Sequence, residues 1–202
     1  AATAMKTVAI TAIVEHPALD DVRKGVIDEL NEAGFKDGEN LTVNFQSAQG
    51  NTATAGQIAK QFVADAPDVI VAIATPSAQS VAASTSSIPL VFSAVTDPVA
   101  AKLVPKLDGS GTNVTGASDA LPYEPQIDLM RQIIPSLKNV GYVYSPGEVN
   151  STIILKNLKE KLTPLGINVL EAPAQRSNDI AMAARSLEGK VDMIYTSTDN
   201  NV

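Results

Sequence analysis

The 202-residue sequence has no cysteine, no tryptophan and one histidine, His16. Without a thiol there is no disulfide, no thiolate nucleophile and no zinc–thiolate site, and the redox compartment stays undetermined. A Ser-His-Asp arrangement would have to recruit His16, and no serine sits in a Gly-x-Ser-x-Gly elbow. A Gly-x-Gly-x-x-Gly dinucleotide fingerprint is also missing. The turn Gly109-Ser110-Gly111-Thr112 lacks the Gly-Lys-Ser/Thr ending of a phosphate loop and does not open a helix from a strand. Positive charge is scarce. Fifteen Lys and Arg against 22 Asp and Glu give a net charge of −7 with no basic cluster, which argues against nucleic acid as a partner. No apolar run approaches the roughly 20 residues that span a bilayer. The start, Ala1 to Met5, lacks the charged and apolar regions of a signal peptide, as expected of a soluble chain or one already stripped of its leader. No metal and no cofactor are expected.

A hydrophobic content of 45% is ample for a packed core. Lys6 to Val14 reads as a buried strand and Asp20 to Ala33 as an amphipathic helix stopped at Gly34. Leu41 to Phe45 alternates as a half-exposed strand, and a helix over Gln57 to Ala66 ends at Pro67. The strand Val69 to Ala74 opens on Thr75-Pro76, a cap followed by proline at the first helical position, with a helix to Ser84. Pro89 to Phe92 is a short strand. The turn-rich Asp108 to Thr115 and the strand after it lead to a hinge, placing a boundary between units 1–116 and 117–202. A second series follows: helix Pro125 to Ile134, strand Val140 to Tyr144, helix Val149 to Leu162, strand Ile167 to Leu170, helix Asp179 to Leu187, strand Val191 to Tyr195. Strands alternating with such helices imply an α/β fold with parallel sheets in two Rossmann-like lobes. The run from Pro67 to Ser77 and the run from Val191 to Asn200 share one design, an apolar strand released into small hydroxyl residues. Ligands of open parallel sheets bind beyond such carboxyl ends.

Ala72-Ile73-Ala74-Thr75-Pro76-Ser77-Ala78-Gln79, Ala94-Val95-Thr96-Asp97-Pro98, Gly111-Thr112-Asn113-Val114-Thr115-Gly116 and Asp199-Asn200 occur in this order along the chain. On these motifs the sequence resembles the substrate-binding proteins of a family of ABC importers, some of which bind tryptophan or other aromatic amino acids. The resemblance implies a type I periplasmic-binding-protein-like receptor, periplasmic or extracellular, that closes two lobes over a small amino-acid-like ligand and delivers it to an ABC permease. It also implies a lipid anchor in a full-length form. Members of the family continue well beyond the Asp-Asn motif, so the second lobe is expected to be truncated here. On that expectation the isolated chain, with Val191, Met193 and Ile194 uncovered, self-associates or binds more weakly than a longer version.

An amino-acid zwitterion needs donors for its carboxylate and an acid for its ammonium. Helix N-termini attract anions, so Thr75 and Ser77 are expected to hold the carboxylate, with Ser145, Asn150 and Ser151 offering the same from the second lobe. Asp199, just beyond a strand end and in the Asp-Asn motif, is the expected ammonium partner; its alternative use is to cap a helix. Thr96 and Asp97 repeat the grammar of a capped helix start. Glu15 and His16 leave the first strand toward its outlet, with Pro17 fixing their direction. Asp20-Asp21 and Glu29-Glu32 read as a solvated helix face. Tyr123, Tyr144 and Tyr195 read as core residues able to stack on an aromatic ligand. A receptor without catalysis is the leading class. An α/β enzyme without a recognisable catalytic motif, or the small-molecule-sensing domain of a regulator, shares the fold.

Overall fold

The computed structural model describes residues 4–202. The leader reading at the start therefore falls partly outside the described residues. Two compact units divide after Asp119. In the first, β1 (Lys6–Ala12), α1 (Pro17–Glu32), β2 (Leu41–Ser47), α2 (Thr52–Asp65), β3 (Val69–Ile73), α3 (Thr75–Ala82), β4 (Leu90–Val95) and β5 (Val114–Ser118) build a sheet of order β2-β1-β3-β4-β5. Every neighbouring pair is parallel. The division falls beyond residue 116 because β5 pairs with β4 and so stays with the first sheet. In the second unit, α4 (Tyr123–Ile133), β6 (Asn139–Tyr144), α5 (Val149–Leu162), β7 (Asn168–Pro173), α6 (Ile180–Arg185) and β8 (Met193–Tyr195) give a parallel sheet of order β7-β6-β8. The fold is α/β with parallel sheets, as the alternation of patterns requires.

The starts of α1, α2 and α3 differ from the sequence expectation for a capping reason, while α4 starts two residues before the expected Pro125 and α6 one residue after the expected Asp179. Helix α1 begins at Pro17 and not Asp20, because the His16 Nδ1 accepts from the Ala18 N–H at 3.2 Å and Pro17 needs no donor partner in the first turn. Helix α2 begins at Thr52 and not Gln57, because the Asn51 Oδ1 accepts from the Thr54 N–H at 3.0 Å. Thr75 is not the cap of α3. It is already helical, and Ala74 fills the cap position at φ 76°, ψ 156° with no side chain to offer. The expected helix at Asp97 is a turn. The Asp97 Oδ1 accepts from the Val99 N–H at 3.1 Å and the Ala100 N–H at 2.9 Å, and Lys102 then leaves at φ 59°.

Side chains on one face of a strand recur every second residue, so the registers define rows across a sheet. One row of the first sheet runs Phe45, Ile10, Val71, Val91, Thr115. The α1 residues Leu19, Val22, Val26, Ile27 and Leu30 pack against its β2, β1 and β3 members. In the second unit Tyr142, Ile154, Leu158 and Leu162 are fully buried, and the Tyr142 and Tyr144 rings stack at 5.3 Å. Each phenol has work inside the unit. Tyr142 meets Ser197 Oγ at 2.8 Å, Tyr144 donates to Glu171 at 3.0 Å, Tyr195 donates to Gln126 at 2.8 Å and Tyr123 accepts from Asn157 at 3.1 Å. Burial pushes the Tyr142 phenol up and that of Tyr195 to about 12, so both act as neutral partners.

Strands β4 and β5 approach closely where Phe92 pairs with Gly116. A Cβ on Gly116 would stand 2.2 Å from the Phe92 carbonyl oxygen and 2.5 Å from its ring. Gly116→Ala is expected to lower stability by about 1–3 kcal/mol, the usual cost of forced overpacking. Urea unfolding of the two proteins checks this; an unchanged midpoint would contradict the close approach.

Candidate functional site

Polar residues gather at the carboxyl ends of the strands in both units, but their chemical states differ. In the first unit, β3 runs into the first turn of α3 through Ala74, whose N–H donates to the Ser93 carbonyl at 2.9 Å. Its backbone lies in a region that only glycine occupies freely, a strain on the order of 1–3 kcal/mol. Thr75 and Ser77 follow, 2% and 0% exposed, and the Ser77 Oγ has no hydrogen-bond partner. A buried hydroxyl without a partner is uncommon and calls for an explanation. Thr11 Oγ1 in β1 is in the same condition. Thr96, beyond β4, is buried. Glu15 and His16 lie exposed after β1, and His16 spends its Nδ1 on α1. At the end of β5 stands Asp119, which the sequence reading passed over. Its N–H donates to Val95 at 3.1 Å, its Oδ1 is buried without a partner, and burial raises its carboxyl against a hydrogen bond from Thr96.

In the second unit the corresponding donors are spent. The Asp199 carboxylate, 8% exposed, accepts from the Ser145 N–H at 2.6 Å, the Ser151 hydroxyl at 2.5 Å and the Ser145 hydroxyl at 2.8 Å. It also accepts from the N–H groups of Asn201 at 2.9 Å and Val202 at 3.2 Å. Beside it, buried Glu148 accepts from Asn150 Nδ2 at 2.8 Å, Asn200 Nδ2 at 2.9 Å, the Asn200 N–H at 3.1 Å and Asn201 Nδ2 at 3.3 Å. Asn150 Nδ2 further donates to the Thr198 carbonyl at 3.1 Å.

In this structure both Asp199 oxygens accept from protein donors, and the Ser145 and Ser151 donors and the Asn150 side-chain amide are turned to the protein's own acids at the start of α5, where a helix N-terminus favours anions. Of these groups only the Asn150 Oδ1, a buried acceptor, lacks a partner. Glu148, a second acid missed by sequence reading, had a signal available: a carboxylate immediately before a helix. Burial pushes its carboxyl above the ordinary range, with the Asp199 charge adding to the effect and the Asn150 and Asn200 donors opposing it. Among the described residues no group of three or more His, Cys, Asp or Glu could hold a metal ion.

Known proteins similar to this chain in sequence and fold are consistent in kind. The family model described as ABC transporter substrate binding protein matches residues 7–202. A tyrosine-binding protein of Clostridioides difficile is 41% identical over 195 residues, which cover 96% of this chain and 56% of that protein. A conserved domain protein from Vibrio cholerae superposes with a TM-score of 0.96 at 47% identity, over 98% of this chain and 67% of its own. The ABC domain from Streptococcus pneumonia, solved in complex with L-Trp, gives 0.94 at 34% identity with the same coverages. The chain thus spans about half the length of the curated relative that it matches.

Two outcomes follow from the buried acids. Asp199→Ala strands the Ser145 and Ser151 donors, so chemical unfolding is expected to report a loss of at least about 1–3 kcal/mol, the cost of one buried unsatisfied group; unchanged stability would contradict the network. For Glu148 the folded state favours the protonated form, so it binds more protons than the unfolded chain as the pH passes above about 4.5. Its contribution to stability therefore falls as the pH rises through that window. The stability difference between wild type and Glu148→Gln, followed by urea unfolding from about pH 4 to 7, is expected to move in favour of the variant with rising pH.

Proposed function

Because the chain belongs to the ABC transporter substrate-binding protein family, we propose that it is the extracytoplasmic, non-catalytic receptor of an importer and takes an aromatic L-amino acid as ligand. The single observation that carries the ligand class is the first turn of α3, where the buried Ser77 hydroxyl has no partner beside a helix N-terminus that favours anions. The tyrosine-binding relative and the relative holding L-Trp support the choice of an aromatic side chain. No helix among the described residues is long and apolar enough to cross a membrane. Delivery of the ligand to a membrane permease, and a lipid anchor on the full-length protein, belong to the same reading.

The ligand's carboxylate sits at Thr75 and Ser77, and its ammonium is assigned to Asp119 in place of Asp199. Neighbouring strands lie about 4.8 Å apart, so the ends of β3 and β5, two strands apart, are separated by roughly 10 Å. That distance suits a zwitterion with one hydrogen bond of about 2.8 Å at each end. The buried, unpartnered Asp119 oxygen then gains a donor, and the charge that burial disfavours gains a counter-ion. Glu15 and Thr96 stand at the ends of β1 and β4 on the same rim of the sheet and complete the proposed contacts; Asp97, turned to its own backbone, shapes the loop.

Calorimetry with L-Tyr, L-Trp and L-Phe is expected to give saturable heats with a negative heat-capacity change from apolar burial. Ser77→Ala should fold as stably as wild type or better, because it removes an unpartnered buried hydroxyl, and should lose about ten-fold or more in affinity. Asp119→Asn should weaken the amino acid similarly while leaving unchanged the affinity for the des-amino acid, 3-(4-hydroxyphenyl)propionate. Absence of heat with all standard amino acids would overturn the ligand class. Equal affinity of wild type and Asp119→Asn for the amino acid would move the ammonium elsewhere.

A further inference from the structure

Gln79 closes the motif that begins at Ala72. It stands four residues after Thr75 and so on the same face of α3. Half-buried there, it donates from Nε2 to the carbonyl of buried Ala101 at 3.2 Å, a contact that reaches from α3 to the turn beyond β4. The strand is irregular at that end. Between Phe92 and Val95 β4 advances three residues while β5 advances two, from Gly116 to Ser118, so one residue bulges from the ladder. Ala94, within the bulge, has φ 54°, and Lys102, directly after Ala101, has φ 59°. Residues other than glycine hold such backbone only where their surroundings fix it, and bulges re-aim the side chains beside them.

The segment between these two strained residues carries Thr96 and is gripped from both sides. From β5, the Ser118 Oγ donates to the Thr96 carbonyl at 3.1 Å and the Asp119 N–H donates to the Val95 carbonyl at 3.1 Å. From α3, the grip is the Gln79 bond to Ala101. Thr96 in turn hydrogen-bonds the Asp119 carboxyl. Because β4 stands between β3 and β5 in the sheet, its outlet lies between the two proposed ends of the ligand. We propose that Gln79 is a positioning residue of the ligand site: it fixes the segment beyond β4 so that Thr96 holds the Asp119 carboxylate at a set span from the first turn of α3. The role rests on the ligand reading above, and its consequence is selectivity. A ligand with both an ammonium and a carboxylate draws on Gln79, and one that lacks the ammonium does not.

Gln79→Met keeps the length of the side chain and removes its donor, and Thr96→Val keeps the shape and removes the hydroxyl. Calorimetry is expected to show L-Tyr binding weakened about five- to ten-fold in Gln79→Met, the worth of one neutral hydrogen bond, with the affinity for 3-(4-hydroxyphenyl)propionate unchanged. Thr96→Val is expected to weaken L-Tyr at least as much. The double variant is expected to bind L-Tyr no more weakly than Thr96→Val alone, because both changes cut the same path. A readout free of ligand is the titration of the Asp119 carboxyl, followed by NMR. It is expected to move to higher pH in Gln79→Met, since the Thr96 hydrogen bond that favours the charged form is loosened. Unchanged L-Tyr affinity in Gln79→Met overturns the proposal. So do equal losses for both compounds in the folded variant, which would put Gln79 at the carboxylate end, additive losses in the double variant, or an Asp119 titration that stays in place. Wild type that binds neither compound overturns the ligand reading instead, and the titration then still decides whether Gln79 positions Asp119.

Discussion

The Asp199 carboxylate holds three parts of the second unit at one point. Its oxygens draw donors from the end of β6 through Ser145, from the first turn of α5 through Ser151, and from the chain after β8 through Asn201 and Val202. A charge taken out of water costs several kcal/mol, and here the cost is offset by charge-assisted hydrogen bonds and by the N-terminus of α5. The strands converge on this anion. Glu148 repeats the device one layer out, gathering the side chains of Asn150, Asn200 and Asn201.

The same grammar of strand, hydroxyl residues and helix therefore ends in two opposite chemistries. At the start of α5 the donors are satisfied by built-in carboxylates. At the start of α3 no acid is supplied, Ser77 is buried without a partner, and the chain tolerates a strained Ala74 to enter the helix. Strain and unsatisfied polar groups cluster where a structure is organised for something other than its own stability. An anion at α3 would supply what the fold withholds there.

Much of the fold was legible because its signals are local and periodic. The apolar runs that became β1, β3 and β6, and the proline and glycine stops around α1 and α2, depend on neighbours a few residues away. Caps were less legible: Asn51 and His16 extend α2 and α1 backwards by hydrogen bonds that composition alone does not announce. The polar site was legible as a set of residues and not as a set of roles. Thr75, Ser77, Ser145, Asn150, Ser151 and Asp199 all lie at strand ends or helix starts, yet which donor faces which acceptor depends on pairs 48 to 56 residues apart, such as Ser151 with Asp199 and Asn201 with Ser145. Asp119 escaped notice because its meaning depends on burial at the end of β5, a strand whose membership in the first sheet is settled by its pairing with β4.

The division of labour between the two helix starts is most directly tested by a crystal structure of the protein with an aromatic L-amino acid bound. The expected result places the ligand's carboxylate in the first turn of α3, on Thr75 and Ser77, while Asp199 keeps its bonds to Ser145 and Ser151. A ligand ammonium or carboxylate bonded to Asp199, Ser145 or Ser151, with the internal network opened to admit it, would contradict it.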